Sequence, residues 1–110
     1  MPAYMVFTRL RTRNPEEVKL YAEQAPKFLA GHTIRFLAQF GRFEVREGGG
    51  VEGVAILEFR SFAEAEAWYE SPAYQNASQH RHKGEDYSAV IVEECSPKCG
   101  IHLAPTKVIE

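Results

Sequence analysis

The sequence predicts one α+β domain whose elements follow in the order β-α-β-β-α-β. Its length of 110 residues, 45% of them hydrophobic, suits a single compact domain with a core. Four segments are rich in β-branched and aromatic residues, as strands are. Two other regions carry their apolar residues at helical spacing, and Gly, Pro and Ser residues separate the segments.

The first strand is predicted over residues 3–10, AYMVFTRL, which are apolar on both faces in the middle. Asn14 is expected to cap the helix that follows, with Pro15 at its first position. An apolar stripe runs along this helix. Pro26 lies inside it and predicts a kink, because proline cannot donate a hydrogen bond to the preceding turn. Gly31 is expected to end the helix.

Two strands of a hairpin are predicted next. Residues 34–46, IRFLAQFGRFEVR, form a long second strand in which Gly41 indicates a bulge or a bend. The glycine-rich stretch EGGGVEG predicts a flexible turn, and residues 54–60, VAILEFR, predict the third strand.

The second helical region is predicted in two pieces. A capping box from Ser61 to Glu64 opens the first piece. Within WYESPAYQ, Ser71 is a second capping residue and Pro72 suits a first helical position. This stretch is therefore expected to join two short helices at an angle, the second of which ends near Lys83 and Gly84.

Residues 86–93, DYSAVIVE, complete the pattern as the fourth strand. The resulting order is the split βαβ, or ferredoxin-like, arrangement, with an antiparallel sheet and both helices on one face. The strands are nevertheless apolar on both sides, and an exposed apolar sheet face is unfavourable in a monomer. We therefore expect a homodimer in which two sheets pack face to face as a dimeric α/β barrel.

Three stretches resemble one known family: RFLAQFGRFEVREG, VAILEFRSFAEAEAWYESPAYQ and the final AVIVE. They are similar to the family known as domain of unknown function 1330, and the resemblance covers residues 3–93. It implies a dimeric α+β barrel, in a superfamily that also contains cofactor-free monooxygenases, haem-degrading enzymes and lactone isomerases. The resemblance implies no particular activity.

Charge and composition exclude several classes of partner. The net charge is −2, and the basic residues are dispersed, so nucleic acid is not expected as a partner. Arg9, Arg11 and Arg13 place three cations on one strand face, which we interpret as a solvated strand end, with an anion site as the alternative. No apolar run approaches the ~20 residues of a membrane span, and the N-terminus lacks a signal-peptide pattern. These features predict a cytoplasmic protein with reduced thiols.

Glu58 and Arg35 are the predicted catalytic residues. Glu58 lies in an otherwise apolar strand, where burial would raise its pKa as a general base requires. The Arg35 guanidinium suits a carboxylate bound through two hydrogen bonds. The alternative is that the two side chains form a structural ion pair, or that Glu58 pairs with Arg81.

Further candidates are predicted to contact a substrate. Tyr69 and Tyr74 flank the Ser-Pro junction, so their hydroxyls would converge on one spot, although both rings could simply be core. The remaining substrate-binding candidates are charged or ionisable: Arg42, Arg81 and His80. Glu44 is a further residue that could carry chemistry.

Residues 95–110 are predicted to be a partly ordered extension of the domain at residues 1–94. Cys95, Cys99 and His102 supply three soft ligands, but zinc requires a fourth and the spacing does not match a zinc knuckle. No metal is therefore expected there, with a metal-binding regulator that uses these tail cysteines as the remaining alternative, and no cofactor is expected either.

Together these features predict a dimer that binds or transforms a small organic molecule in a pocket lined by Arg, Glu and Tyr. The alternative is a non-catalytic dimeric binding or interaction module. Whether the protein is an enzyme stays open at this point, because one fold hosts many chemistries.

Overall fold

The computed structural model describes residues 1–96, and they form a four-stranded antiparallel sheet with four helices. The strands are β1 (Ala3–Thr12), β2 (Ile34–Gln39), β3 (Gly53–Phe59) and β4 (Glu85–Glu93). The helices are α1 (Pro15–Glu23), α2 (Ala25–Leu29), α3 (Phe62–Glu70) and α4 (Pro72–Gly84). The sheet order is β2-β3-β1-β4, and every neighbouring pair is antiparallel. This confirms the predicted α+β, ferredoxin-like fold.

Both helical regions consist of two helices. The predicted kink at Pro26 is instead a break at Gln24, and Pro26 lies in the first turn of α2, where no donor is needed. The predicted junction at Ser71 is confirmed. Its hydroxyl accepts a hydrogen bond from the Tyr74 amide at 3.3 Å and donates one to the Trp68 carbonyl at 2.7 Å.

The second strand is shorter than its sequence predicts. It ends at Gln39, and the expectation of a strand to residue 46 is wrong. Phe40 adopts a positive φ of 52°, which turns the chain out of the strand. Of the two features predicted at Gly41, the bend is present, since the chain bends at Phe40 and Arg42, whereas the bulge lies earlier, where the register against β3 shifts between Phe36 and Ala38.

The core lies between one face of the sheet and the helices. Alternate residues of β1 and β3 are buried there, and Phe28, Trp68 and Tyr74 cover them from the helical side. The sheet residues in this core are Ala3, Met5, Phe7, Ala55, Leu57 and Phe59. We call this the inner face of the sheet.

The outer face of the sheet carries no helix and is largely apolar. Val6 lies opposite Ile56 on one side and Val90 on the other, so these residues form one row across three strands. Val90 and Val92 are 54% and 48% exposed. The packing of this chain therefore leaves part of an apolar surface in contact with water.

Candidate functional site

A cavity of about 290 Å³ lies between the inner face of the sheet and the helices α1 and α2. Most of its wall is apolar, including Phe7, Phe28, Phe36, Leu57 and Trp68. Its polar wall consists of Arg9, Tyr21, Gln39 and Arg81. An apolar pocket into which a few polar groups converge is the usual form of a small-molecule site.

Arg81, on α4, is the most deeply buried cation in the wall of this cavity, with 3% of its side chain exposed. Its Nε donates a hydrogen bond to Glu85 Oε1 at 3.2 Å, and its Nη1 donates one to the Tyr21 hydroxyl at 3.1 Å. The guanidinium also lies 4.2, 4.9 and 4.4 Å from the ring centroids of Phe7, Tyr21 and Tyr87. Such cation–π contacts replace part of the hydration that burial removes.

The pKa of Arg81 reflects two opposing effects. Burial lowers it, but interactions with Tyr21, Tyr74 and Glu85 outweigh burial and raise the pKa above its usual value. Arg81 is therefore a permanent positive charge in the cavity wall.

Glu85 connects Arg81 to a second arginine. It begins β4, and both of its oxygens are used: Oε1 accepts from Arg81, and Oε2 accepts from Arg9 Nε at 3.3 Å. The Glu85 side chain is 1% exposed, as expected for a carboxylate held by two guanidinium groups. We call Arg9, Arg81 and Glu85 the charged cluster.

Three tyrosines surround the charged cluster. The hydroxyls of Tyr21 and Tyr74 lie 3.2 Å apart and form a hydrogen bond. Burial is the main cause that raises the pKa of Tyr21, Tyr74 and Tyr87 above the usual tyrosine value. All three hydroxyls therefore keep their protons near neutral pH. Tyr21, which lines the cavity, can act as a hydrogen-bond partner for a ligand but not as a base.

The predicted catalytic pair lies elsewhere. Arg35 and Glu58 face each other across β2 and β3 on the outer face of the sheet, with Arg35 Nη1 3.6 Å from Glu58 Oε1. Arg35 is 77% exposed and Glu58 23%. They line a shallow depression with Pro2 and Thr33, and the sheet separates it from the cavity. The ion pair that the sequence offered as the alternative is present.

The predicted substrate-binding residues are distributed over three places. Arg81 lines the cavity, and the buried Tyr74 reaches its wall through the hydroxyl of Tyr21. Tyr69 packs on the ring of Tyr74 at 5.4 Å and is half-buried. His80 Nδ1 lies 2.7 Å from Glu17 Oε1 and ties α4 to α1.

Arg42 and Glu44 do not line the cavity. Both are exposed in the irregular segment after β2, and Glu44 lies 3.5 Å from Arg46.

Sequence reasoning missed Tyr21 and Glu85, and it offered an anion site only as the alternative for the row of arginines that contains Arg9. Tyr21 lies in the predicted helix that follows Asn14, where sequence reasoning counted it only as a member of the apolar stripe. Arg9 belonged to a row of three arginines, of which it alone lines the cavity, while Arg11 and Arg13 pair with Asp86. The four-residue spacing from Arg81 to Glu85 on the chain was the available signal for their ion pair.

Within residues 1–96, no group of three His, Cys, Asp or Glu side chains is arranged to hold a metal ion. Cys95 is disulfide-bonded, so the expectation of reduced thiols is wrong for this residue. Cys99 and His102, and with them most of the predicted extension, lie outside the described residues. No helix in the described part of the chain is both long and apolar enough to cross a membrane.

Solved structures with this fold include proteins from several bacteria. A protein of unknown function from Rhodopseudomonas palustris is 21% identical, with a TM-score of 0.63, over 87% of this chain and 84% of that one. A dimeric ferredoxin-like protein of unknown function from Jannaschia sp. CCS1 is 16% identical, with a TM-score of 0.59, over 86% and 100%.

A third neighbour is SnoaB, described as a cofactor-independent oxygenase from Streptomyces nogalater. It is 10% identical, with a TM-score of 0.59, over 86% of this chain and 94% of that one. At these identities the likeness shows the fold alone. No curated protein matches the sequence.

The sequence of this chain, and not only its fold, identifies the family to which it belongs. The family model described as Domain of unknown function (DUF1330) matches residues 2–95, which span all four strands and all four helices. The chain therefore belongs to the DUF1330 family.

Proposed function

We propose that this protein binds a small organic molecule in the cavity beneath α1 and α2. One observation carries the proposal: the mostly apolar wall of the cavity also contains the buried, permanently charged Arg81 and the protonated hydroxyl of Tyr21. A buried charge is costly to maintain, and side chains with perturbed pKa values in a cleft are typical of functional sites.

The cavity suits a flat ligand of one or two rings. Its volume of about 290 Å³ lies near the lower end of the range of ligand pockets, roughly 300–1,000 Å³. Aromatic side chains on the sheet and the helices supply surfaces on which a ring can stack.

We further propose that the protein catalyses a reaction of the bound molecule. One structural neighbour is described as a cofactor-independent oxygenase, so this fold hosts at least one reaction without a cofactor. In the cavity, Arg81 would stabilise negative charge and Tyr21 would contribute its hydroxyl. Arg35 and Glu58 would have to act at a separate place, on the outer face of the sheet.

The test fills the cavity with a side chain. Ala25 lines the cavity, so Ala25→Leu removes part of its volume, whereas Ala63→Leu adds the same atoms at an exposed position of α3. The protein has one tryptophan, Trp68, and it lines the cavity, so its fluorescence reports on occupancy. Wild type and both variants would be screened against one- and two-ring organic molecules by thermal shift and tryptophan emission.

We expect some of these molecules to raise Tm and change Trp68 emission in the wild type and in Ala63→Leu, but not in Ala25→Leu. Ligands that bind Ala25→Leu as tightly as wild type would contradict the proposal. If no ligand binds the wild type, the non-catalytic dimeric module becomes the better interpretation.

We also propose that the chain forms a homodimer through the outer face of its sheet. Two of the valines on this face are about half exposed, and a second copy is a partner whose matching apolar face would cover them. Structural neighbours described as dimeric ferredoxin-like proteins support this assembly.

A further inference from the structure

We propose that the ligand of the cavity carries one negative charge, such as a carboxylate, and that Arg9 binds it. This inference rests on the proposed ligand cavity and names the class of molecule that the cavity would accept. It assigns a role to a residue that sequence reasoning placed at a solvated strand end, with an anion site as the alternative.

The charged cluster carries an unbalanced positive charge. Two guanidinium groups share one carboxylate: Arg81 and Arg9 bind the two oxygens of Glu85. Two positive charges and one negative charge leave the cluster with a net charge of +1. Beside an apolar cavity, an unbalanced charge is unfavourable unless an anion can approach it.

Arg9 can bind that anion through the part of its guanidinium that Glu85 does not occupy. Glu85 occupies its Nε, and among residues 1–96 no hydrogen bond is made by its two terminal nitrogens. Its side chain is 23% exposed, and it lines the cavity. Arg81, by contrast, uses Nε and Nη1 within the protein and is almost fully buried. Arg9 is thus the cation with a free guanidinium edge for a carboxylate.

The ring of Phe40 holds the Arg9 guanidinium in position. Its guanidinium lies 4.3 Å from the centroid of the Phe40 ring. Phe40 has a positive φ of 52°, an uncommon conformation for a bulky residue, and strained residues tend to occur at functional sites.

Gly53, the residue opposite Arg9 in β3, leaves the space that the Phe40 ring occupies. A Cβ there would lie 2.7 Å from Phe40 Cδ1. The turn at Phe40 and the space left by Gly53 together place the Phe40 ring beneath the Arg9 guanidinium. This contact keeps the guanidinium in the wall of the cavity.

The rest of the wall defines the other half of the ligand. Away from the arginines it is formed mainly by aromatic and aliphatic side chains. The class is therefore an aromatic or alicyclic monoacid, and not a sugar or a polyanion, whose many polar groups would outnumber the partners that Tyr21 and Gln39 provide in this wall.

A matched pair of probes tests this inference. We would measure binding of 2-naphthoate and of 2-naphthamide, which share shape and ring system but differ in charge, by isothermal titration calorimetry. Charge-assisted hydrogen bonds are strong enough that wild type should bind naphthoate about tenfold or more tightly than naphthamide. This comparison needs no variant and does not depend on how any variant folds.

Variants then assign the effect to Arg9. We expect Arg9→Gln to weaken naphthoate binding about tenfold and to leave naphthamide binding unchanged, while Arg9→Lys keeps part of the preference. Arg11→Gln is the matched control, because Arg11 lies on the same strand, is 67% exposed and is not in the cavity wall.

Equal affinity of wild type for the two probes would overturn the inference but leave the ligand cavity standing. The same is true if Arg9→Gln weakens both probes equally. If neither probe binds, and the ring-molecule screen is also negative, the inference and the proposed function fall together.

Discussion

Three tyrosine hydroxyls around the charged cluster differ in their surroundings. Tyr21 and Tyr74 bond to each other, and Tyr21 also accepts a hydrogen bond from Arg81. The hydroxyl of Tyr87 is buried and has no hydrogen-bond partner among residues 1–96. Burial raises the pKa of all three, so each favours the folded state only while it is protonated.

These tyrosines predict that the free energy of unfolding decreases in alkaline solution. In the unfolded chain they lose their protons around the usual pKa of 10.0, whereas in the folded protein they keep them to higher pH. The unfolded state then binds fewer protons, so the contribution of these tyrosines to stability is constant below pH 10 and falls as pH rises above it. Each such tyrosine contributes a slope of up to about 1.4 kcal/mol per pH unit. Urea unfolding between pH 8 and 12 measures this.

Tyr87→Phe is the control for this pH dependence. It removes one of the three ionising groups without breaking a hydrogen bond of the described residues. At pH 8 the variant should be as stable as wild type or more stable, by about 1 kcal/mol, since an unpaired buried hydroxyl is lost. Above pH 10 its stability should fall less steeply. Parallel curves for the two proteins would show that Tyr87 does not contribute.

At the scale of the helices and strands, Gly84 determines how closely α1 approaches the end of α4. Its carbonyl accepts hydrogen bonds from the amides of Arg13 and Asn14 at 2.7 and 3.0 Å. A Cβ at this position would lie 2.9 Å from the Val18 nitrogen and 3.1 Å from the Asn14 carbonyl oxygen. Both are backbone atoms, so the side chain of a larger residue could not be accommodated by a change of rotamer.

We therefore predict that Gly84→Ala destabilises the protein by about 1–3 kcal/mol, because α1 must move away from α4. Gly49→Ala is the matched control, since nothing lies within 4 Å of a Cβ there and its φ is not positive. Thermal unfolding of both variants measures the difference. A Tm for Gly84→Ala as high as that of Gly49→Ala would show that the contact between α1 and α4 relaxes freely.

The elements were predictable from the sequence to different degrees, for physical reasons. The Ser71-Pro72 junction was predictable because capping and the first helical position depend on neighbouring residues alone. The end of β2 was not, because residues 42–46 alternate like a strand, and the bend that Gly41 indicates does not by itself show that the strand stops there.

The candidate site shows the same limit. Its members come from β1, α1, α4 and β4, and only the folded chain brings Arg9, Tyr21, Arg81 and Glu85 together. Sequence alone could identify Arg81 as a candidate, but it could not distinguish that arginine from Arg42, which lies exposed on a loop. Glu58 was singled out because its strand is apolar, yet the strand is apolar on both faces and its carboxylate lies on the outer one.

At the scale of the whole molecule, the helices and the core cover most of the inner face of the sheet, whereas the outer face has no helix over it and is the apolar sheet surface that a partner would cover. Burial of Val90 and Val92 against a second copy would gain roughly 25 cal/mol per Å² of apolar surface. A dimer of this kind places the depression with Arg35 and Glu58 in or beside the interface.

We predict that the protein sediments as a dimer at micromolar concentration and that its Tm rises with protein concentration. Val90→Glu should shift the equilibrium to the monomer, because a carboxylate buried in an apolar interface without a partner is strongly unfavourable. The isolated chain should still fold, since Val90 is exposed in it. Ala63→Glu, which adds the same charge to the exposed surface of α3, should remain dimeric. A wild-type monomer at these concentrations would contradict the assembly, and a dimeric Val90→Glu would place the interface on another surface.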